Sequence, residues 1–541
     1  MKYGTLLLLA LLWAAPSLAK EAEPASVPLY DNLGKHHHKI TTKSPQAQRY
    51  FDQGLRLTYA FNHEEAIVSF MEGARIDPDC AMCYWGAALA MGPNINLPME
   101  PKTEPSAHEL VQNAVALAPK VSEAERAYID ALSKRYAAEP GENRTARDQA
   151  YADAMREVAQ KYPKDTDAAT LFAESLMDLQ PWDYWTYEGE AKGNTKEIVE
   201  TLETVLDKNK NHPGACHYYI HAVEASFEPK RALPCAKRLA KLMPGAGHLV
   251  HMPAHVYIRV GMYKEAEEAN VHAIHADENF IQDRKAQGFY TMAYYPHNIH
   301  FLYAAAAMAG RSEVAIQAAR DLVEKVPDEL VRGVPPLEMF KPTAYFALTR
   351  FGKWEEILKE PAPATEFKYT TGIWRYARGR ALAATGKMEE AQAELDSLAK
   401  LAEEVGPDLI ISINSGKALL QIATKVLSGE IAAGEGRTDD AVKALNEAVE
   451  IEDHLVYEEP PPWYQPVRQN LGAVFLAAER PEEAEQVYLE DLKRNPNNGW
   501  SFYGLMKSRK AQGKKKEAAS AKKRFEKAWE RADVKLTASR F

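Results

Sequence analysis

The strongest constraint in this chain is a spacing. Gly54 is followed twelve residues later by Ala66, then by Phe70 and Pro78, and the same order returns at Gly472, Ala484, Tyr488 and Pro496. Gly379 with Ala391 and Gly429 with Ala441 keep the twelve-residue step, Ala315 stands twelve before Pro327, and Ala518 marks a last unit. The physical reading is steric. Small residues sit where two helices cross closely, a bulky one fills the space beside them, and proline ends the second helix. A chain punctuated in this way folds as antiparallel helix pairs stacked along one axis, so the expected class is an all-α α-solenoid. The 541 residues, which would make about three ordinary domains, are then accommodated as further repeats.

On these residues the chain resembles the tetratricopeptide repeat family, whose unit is a helix–turn–helix of about 34 residues. The resemblance implies a right-handed superhelix whose first helices line a concave groove. Between the clean units the helical period persists at Ser122 to Tyr136, Ala150 to Tyr162 and Lys196 to Leu206. Breaks rich in proline or glycine fall at Met91 to Pro105, Gln180 to Asn194, Pro361 to Ala364 and Glu458 to Pro462. The aromatic loop from Pro181 to Trp185 reads as a packed connection between helix pairs rather than a cap on the groove. The stretches Ser44 to Gly54 and His217 to Glu224 are also similar to those of exported bacterial tetratricopeptide proteins, which implies architecture and compartment more than reaction.

Lys2, the apolar run Leu6 to Trp13 and the small residues Ser17-Leu18-Ala19 form a secretory signal peptide, with cleavage expected after Ala19. The expected organisation is a signal peptide over 1–19, a leader over 20–43, a solenoid over 44–345 with a histidine-rich groove at about 166–310, and C-terminal repeats over 346–541. No later segment has the roughly 20 apolar residues of a membrane span, so the expected location is periplasmic. Lys and Arg number 66 against 76 Asp and Glu, a net charge of −10. The one basic concentration, Lys514 to Lys516 and Lys522 to Arg524, reads as a solvated end cap. Nucleic acid is therefore disfavoured as a partner.

Cys80-Ala-Met-Cys83 is a CxxC without a following histidine, so it does not signal covalent haem attachment. Cys80 and Cys83 form a structural disulfide or soft-metal pair, with a redox role as the alternative. Cys216 and Cys235, one helix apart, form a disulfide or a buried thiol pair.

Ten of the 16 histidines fall between His212 and His300. His217 and His221 are four apart, as are His251 and His255, and 34 residues separate each from its counterpart. Spacing of four puts both rings on one helix face, and spacing of one repeat puts the two pairs at equivalent places on neighbouring helices. After an insertion over Glu278 to Met292, His297 and His300 follow His248 and His251 at a common offset of 49. Upstream, Glu174 falls in the same phase, and Glu224 lies on the first histidine helix. The metal-ligand set is thus His217, His221, His251, His255, His300 and Glu174, with His248, His297 and Glu224 in support or as alternative ligands. Several imidazoles with a carboxylate suit zinc, copper, iron or nickel rather than calcium or magnesium. The count exceeds a closed structural zinc and allows an open single ion or a pair.

The remaining histidines carry weaker expectations. His63, His108, His272, His275 and His454 read as ordinary core or surface residues, and His36 to His38 as part of the leader, with a strap that folds back to contribute a ligand as the alternative. No GxSxG, P-loop or strand-borne GxGxxG is present. The leading functional expectation is a transition-metal protein. If it is an enzyme, Glu174 or Glu224 is the candidate general base, with Tyr257, Tyr294 and Tyr295 as substrate contacts. The alternatives are a scaffold that binds a protein or peptide in the groove, and a protein that stores or delivers a metal such as copper.

Overall fold

The structure, a computed structural model, describes residues 27–541 apart from residue 142. The signal peptide and residues 20–26 of the leader lie outside the described residues. The chain is an all-α, tetratricopeptide-type solenoid. The clean units are helix pairs: Pro45–Tyr59 with His63–Ile76, Tyr295–Met308 with Ser312–Lys325, Lys368–Ala384 with Met388–Glu404, Gly416–Gly434 with Thr438–Asp453, and Val467–Ala477 with Pro481–Arg494. Gly499–Ala511 with Lys515–Ala528 closes the series. The degenerate stretches form Glu123–Leu132, Arg144–Lys161 and Thr195–Lys208. The first of these starts at a capping box between Ser122 and Glu125. A hairpin of Ile410–Ile411 with Asn414–Ser415 interrupts the helical pattern. No helix among the described residues is long and apolar enough to cross a membrane.

The spaced residues do the steric work expected of them. A Cβ at Gly54 would lie 2.7 Å from the Phe70 ring, and one at Gly472 would lie 2.5 Å from the Tyr488 ring. The partner alanines Ala66, Ala391, Ala441 and Ala484 are fully buried. Close crossing of the two helices therefore depends on the missing side chain.

The buried hydrophobic residues form two large clusters, one ending at Tyr294 and the other beginning at Tyr295. The superhelix also closes on itself. A Cβ at Gly214 would meet the Tyr59 ring at 2.4 Å, so the end of the first helix lies directly on the start of the Pro213–Glu224 helix. Downstream, Tyr263 donates its hydroxyl to the Pro496 carbonyl at 3.1 Å, and Asn497 donates to the Val260 carbonyl at 3.3 Å. Late repeats thereby buttress the histidine-bearing ones.

The leader reading needs correcting. Residues 27–43 form a strap laid along the first helix. Gln53 donates to the Pro28 carbonyl at 2.9 Å, Arg56 to the His36 carbonyl at 2.8 Å, and Gly245 to the Asn32 carbonyl at 2.9 Å. Extended backbone of this kind has no internal partners, and neighbouring side chains supply them.

Gly54→Val is expected to lower the stability of the folded chain by about 2 kcal/mol through overpacking against Phe70. Urea unfolding should show a lower midpoint at unchanged slope. An unchanged midpoint would mean the helices do not cross as closely as described.

Candidate metal centre

Three helical segments bring the groove histidines together: Pro213–Glu224, the pair Gly247–His251 and Pro253–Arg259, and Tyr295–Met308. Pro253 lacks an N–H and splits the middle segment. Met252 at the junction keeps right-handed helical geometry (φ −49°, ψ −34°), so His251 and His255 still share a face. Their rings lie 4.8 Å apart, and those of His217 and His221 4.9 Å apart. Three groups of potential ligand atoms result: His217 with His221 and His248, His251 with His255 and His297, and His221 with Glu224 and His255, which links the first two. All but the half-buried His297 are at most 1% exposed.

The hydrogen bonds on the far side of each ring decide where the protons sit. His217 Nδ1 is 2.7 Å from the Tyr59 carbonyl, which can only accept. His221 Nδ1 and His255 Nδ1 face the two oxygens of Glu224, at 3.0 and 2.5 Å. His251 Nδ1 is 2.6 Å from Asn270 Oδ1, and that amide is fixed because its Nδ2 donates to the Ala266 carbonyl at 2.7 Å. In its neutral form each of these four rings therefore carries its proton on Nδ1 and presents a bare lone pair at Nε2.

The lone pairs point at one another. His251 Nε2 and His255 Nε2 are 2.9 Å apart, and neither has a proton to offer the other. His217 Nε2 is 3.1 Å from His248 Nε2, which can carry the His248 proton and donate it, while His221 Nε2 and His248 Nδ1 have no partner among the described residues. A shared proton is disfavoured: burial, then the neighbouring imidazoles, hold His217, His248, His251 and His297 well below the usual imidazole range. Neutral imidazole with Nδ1–H held by a carboxylate, amide or carbonyl oxygen is the form that ligates transition metals. Two such nitrogens on one ion with bonds of 2.0–2.1 Å stand roughly 3.3 Å apart, so the observed pairs need only small outward shifts.

Other expected site residues lie elsewhere. His300 does not join the centre. Its ring sits among Tyr303, Phe340 and Tyr464, both nitrogens lack partners, and burial pushes it down to about 3. The reason is a change of phase. The long Tyr263–Arg284 helix and a π turn at Tyr290–Tyr294 precede this segment, and it presents His297 and Phe301 to His251 and His255. Against the earlier helices that is a shift of three positions, or about 60° of rotation.

Glu174 is also outside the centre. Burial and the neighbouring Asp178 raise its carboxyl well above the usual range, and Arg135 bonds Asp178 at 2.6 Å. Glu224 lies within the centre, but both of its oxygens are committed to ligand rings, so it positions them and is not free to act as a base. Burial opposes its charge, yet the two imidazoles hold it at about 2.

Of the tyrosines, Tyr294 packs its ring 4.7 Å from His248, whereas Tyr295 donates to Glu278 at 3.1 Å and Tyr257 packs against apolar neighbours. Cys80 and Cys83 form a buried disulfide, and Cys216 and Cys235 are free, buried thiols that face each other. His272, His275 and His454 are exposed and His108 is half-buried.

Sequence reasoning missed Tyr59, Phe61, Trp182 and Asn270. The Phe61 ring lies 4.5 Å from His217 and 5.5 Å from His248. Trp182, from the aromatic loop, packs T-shaped on His221 with ring centroids 5.2 Å apart, so that loop does cover the site. Phe61 and Trp182 both adopt positive φ, 55° and 63°, an uncommon strain for bulky residues and the only local signal they give.

The strap histidines form a separate hub on Asp167. Asp167 accepts from His36 at 2.8 Å, His38 at 2.9 Å, His212 at 3.1 Å and the Tyr59 hydroxyl at 2.6 Å. His212 Nδ1 accepts the Ala215 amide, so its proton is on Nε2, where a metal would have to bind. The same proton accounting that favours a metal in the groove thus makes this hub a hydrogen-bonded latch.

No family model matches the chain, and no curated protein matches it. Among solved structures, human IFIT1 in a dimer with m7Gppp-AAAA is 13% identical over 90% of this chain and 91% of that one, at TM-score 0.34. The P58(IPK) TPR domain is 12% identical over 87% and 99%, at TM-score 0.22. Yeast Tom70 is 12% identical over 88% and 90%, at TM-score 0.27.

The latch is expected to respond to pH. Burial lowers His38, but the hydrogen bond and charge of Asp167 outweigh this and raise it to about 9 from an ordinary 6.5. A raised value contributes stability that is complete below about 6.5 and lost as pH climbs through about 9. Hydrogen exchange at the strap amides of His38 and Ile40, corrected for intrinsic rate, should accelerate across that window. Asp167→Asn should loosen the strap by about 2 kcal/mol, roughly 30-fold in exchange, and flatten the pH dependence. A strap equally protected in the variant would refute the latch.

Proposed function

We propose that this chain is an exported metalloprotein that binds a transition metal at the inner face of its solenoid through the repeat-phased histidines. One observation carries the reading. The Nε2 lone pairs of His251 and His255 face each other at 2.9 Å while both Nδ1 protons are committed to acceptors. In a buried site two facing lone pairs repel unless something electron-poor lies between them. Four such lone pairs in one pocket favour a cation that prefers imidazole, namely zinc, copper, iron or nickel. Three imidazoles with an open position would let a bound ion polarise water or a carbonyl group, which is the chemistry available if the protein is an enzyme. The residues' own work is to present neutral rings in fixed orientation, through Glu224, Asn270 and the Tyr59 carbonyl.

The scaffold reading draws on the fold alone. A protein or peptide partner would have to use surfaces outside this cluster, because the rings of His217, His221, His248, His251 and His255 are buried.

Untagged protein expressed with its own leader should carry a transition metal by elemental analysis. The His217→Ala/His251→Ala double variant should lose it while helical circular dichroism is unchanged. A wild type that arrives without metal and takes up no zinc, copper or iron on addition would sink the metalloprotein reading.

A further inference from the structure

The metal reading treats the histidines as one centre, and their arrangement says more. We propose that they form two metal sites, His217/His221/His248 and His251/His255/His297, each holding one divalent transition ion and tied together by Glu224. This rests on the metal reading above and specifies its nuclearity.

Reach is the first argument. An ion bonded at 2.0–2.1 Å gathers nitrogens no more than roughly 4 Å apart. Within each trio the ligand atoms lie inside 4.8 Å of one another, close enough to collapse onto one ion with small ring movements. Among the described residues the group of ligand atoms that spans the trios, His221 with Glu224 and His255, contains the carboxylate, and there both rings turn Nδ1 toward it.

The position of Glu224 is the second argument. It takes one ring from each trio, His221 through Oε1 and His255 through Oε2. A carboxylate that orients a ligating imidazole from behind is a common feature of metal sites, and here one carboxylate serves two. Among the described residues no Lys or Arg side chain bonds its carboxylate, since Arg259 reaches only the Glu224 backbone carbonyl, and two cations balance the buried charge better than one.

Access distinguishes the sites. The first trio is at most 1% exposed and lies under Phe61, Trp182 and Tyr294. The second ends at half-buried His297, whose ring lies 4.9 Å from His251 and 5.8 Å from His255. The second site is therefore the less sealed of the two, so its ion leaves faster and takes water or a small anion at its fourth position, while the first is held like a structural ion.

The test is a titration of metal-free full-length protein with Co2+ and with Zn2+, followed by elemental analysis. Wild type should bind two equivalents, and His248→Ala and His297→Ala should each bind one. Glu224→Gln should weaken both sites by about 10–100-fold. A chromogenic chelator added to loaded wild type, which needs no variant to fold, should withdraw one equivalent quickly and one slowly. Added azide should change the Co2+ absorption spectrum in wild type and in His248→Ala, but not in His297→Ala. A single equivalent in wild type, or loss of all metal from either single variant, would overturn the two-site arrangement while leaving the metalloprotein reading intact. A wild type that binds no metal would overturn both.

Discussion

Everything at the centre depends on the end of the first helix reaching the start of the Pro213–Glu224 helix. Tyr59 makes that junction with both ends of its structure. Its carbonyl accepts from His217 Nδ1, and its hydroxyl donates to Asp167, the residue that also anchors His36, His38 and His212. The approach is possible because residue 214 has no side chain to collide with the Tyr59 ring. Residues 158 positions apart in sequence are joined by the His217 contact alone. An open solenoid would leave His217 with a solvated ring and no preferred tautomer. Closure supplies the acceptor that sets the proton, and with it the direction of the lone pair.

Burial then turns a cluster of histidines into a chemical problem with few solutions. Imidazoles at the surface could protonate or bind water, but here desolvation and mutual repulsion hold His217, His248, His251 and His297 well below the usual imidazole range. The Nδ1 protons of His217, His221, His251 and His255 go to Tyr59, Glu224 and Asn270. What remains is a set of facing lone pairs in a water-poor interior, the condition that a transition ion relieves. The contrast with the Asp167 hub is instructive. That hub also gathers histidines and a carboxylate, yet each of its protons has an acceptor, and it needs nothing further.

The solenoid was legible because its signals are local and repeated. Gly54 with Ala66 and Phe70, and Gly472 with Ala484 and Tyr488, each report a close crossing within one helix pair. The histidine phase was legible for the same reason, and it placed the pairs at 217/221 and 251/255 on one face. It failed at His300 and Glu174, where an equal offset did not mean an equal direction. A π turn and a long preceding helix rotated the third segment toward His297, and Arg135 with Asp178 engaged Glu174 before it could reach the centre. The strap's anchor was not legible either. Nothing in residues 27–43 taken alone says that Asp167 lies beside His36 and His38.

The amino-acid sequence by itself determined the helix pairs, their stacking and the two histidine pairs, because helix period and helix–helix contact act over fewer than 40 residues. Only the tertiary structure decided which nitrogen of each ring carries the proton, which histidines share a pocket and which face is sealed. Those outcomes depend on acceptors such as the Tyr59 carbonyl and the Asn270 amide. They reach the centre through closure of the superhelix and the packing of helix on helix, and no short-range pattern records them.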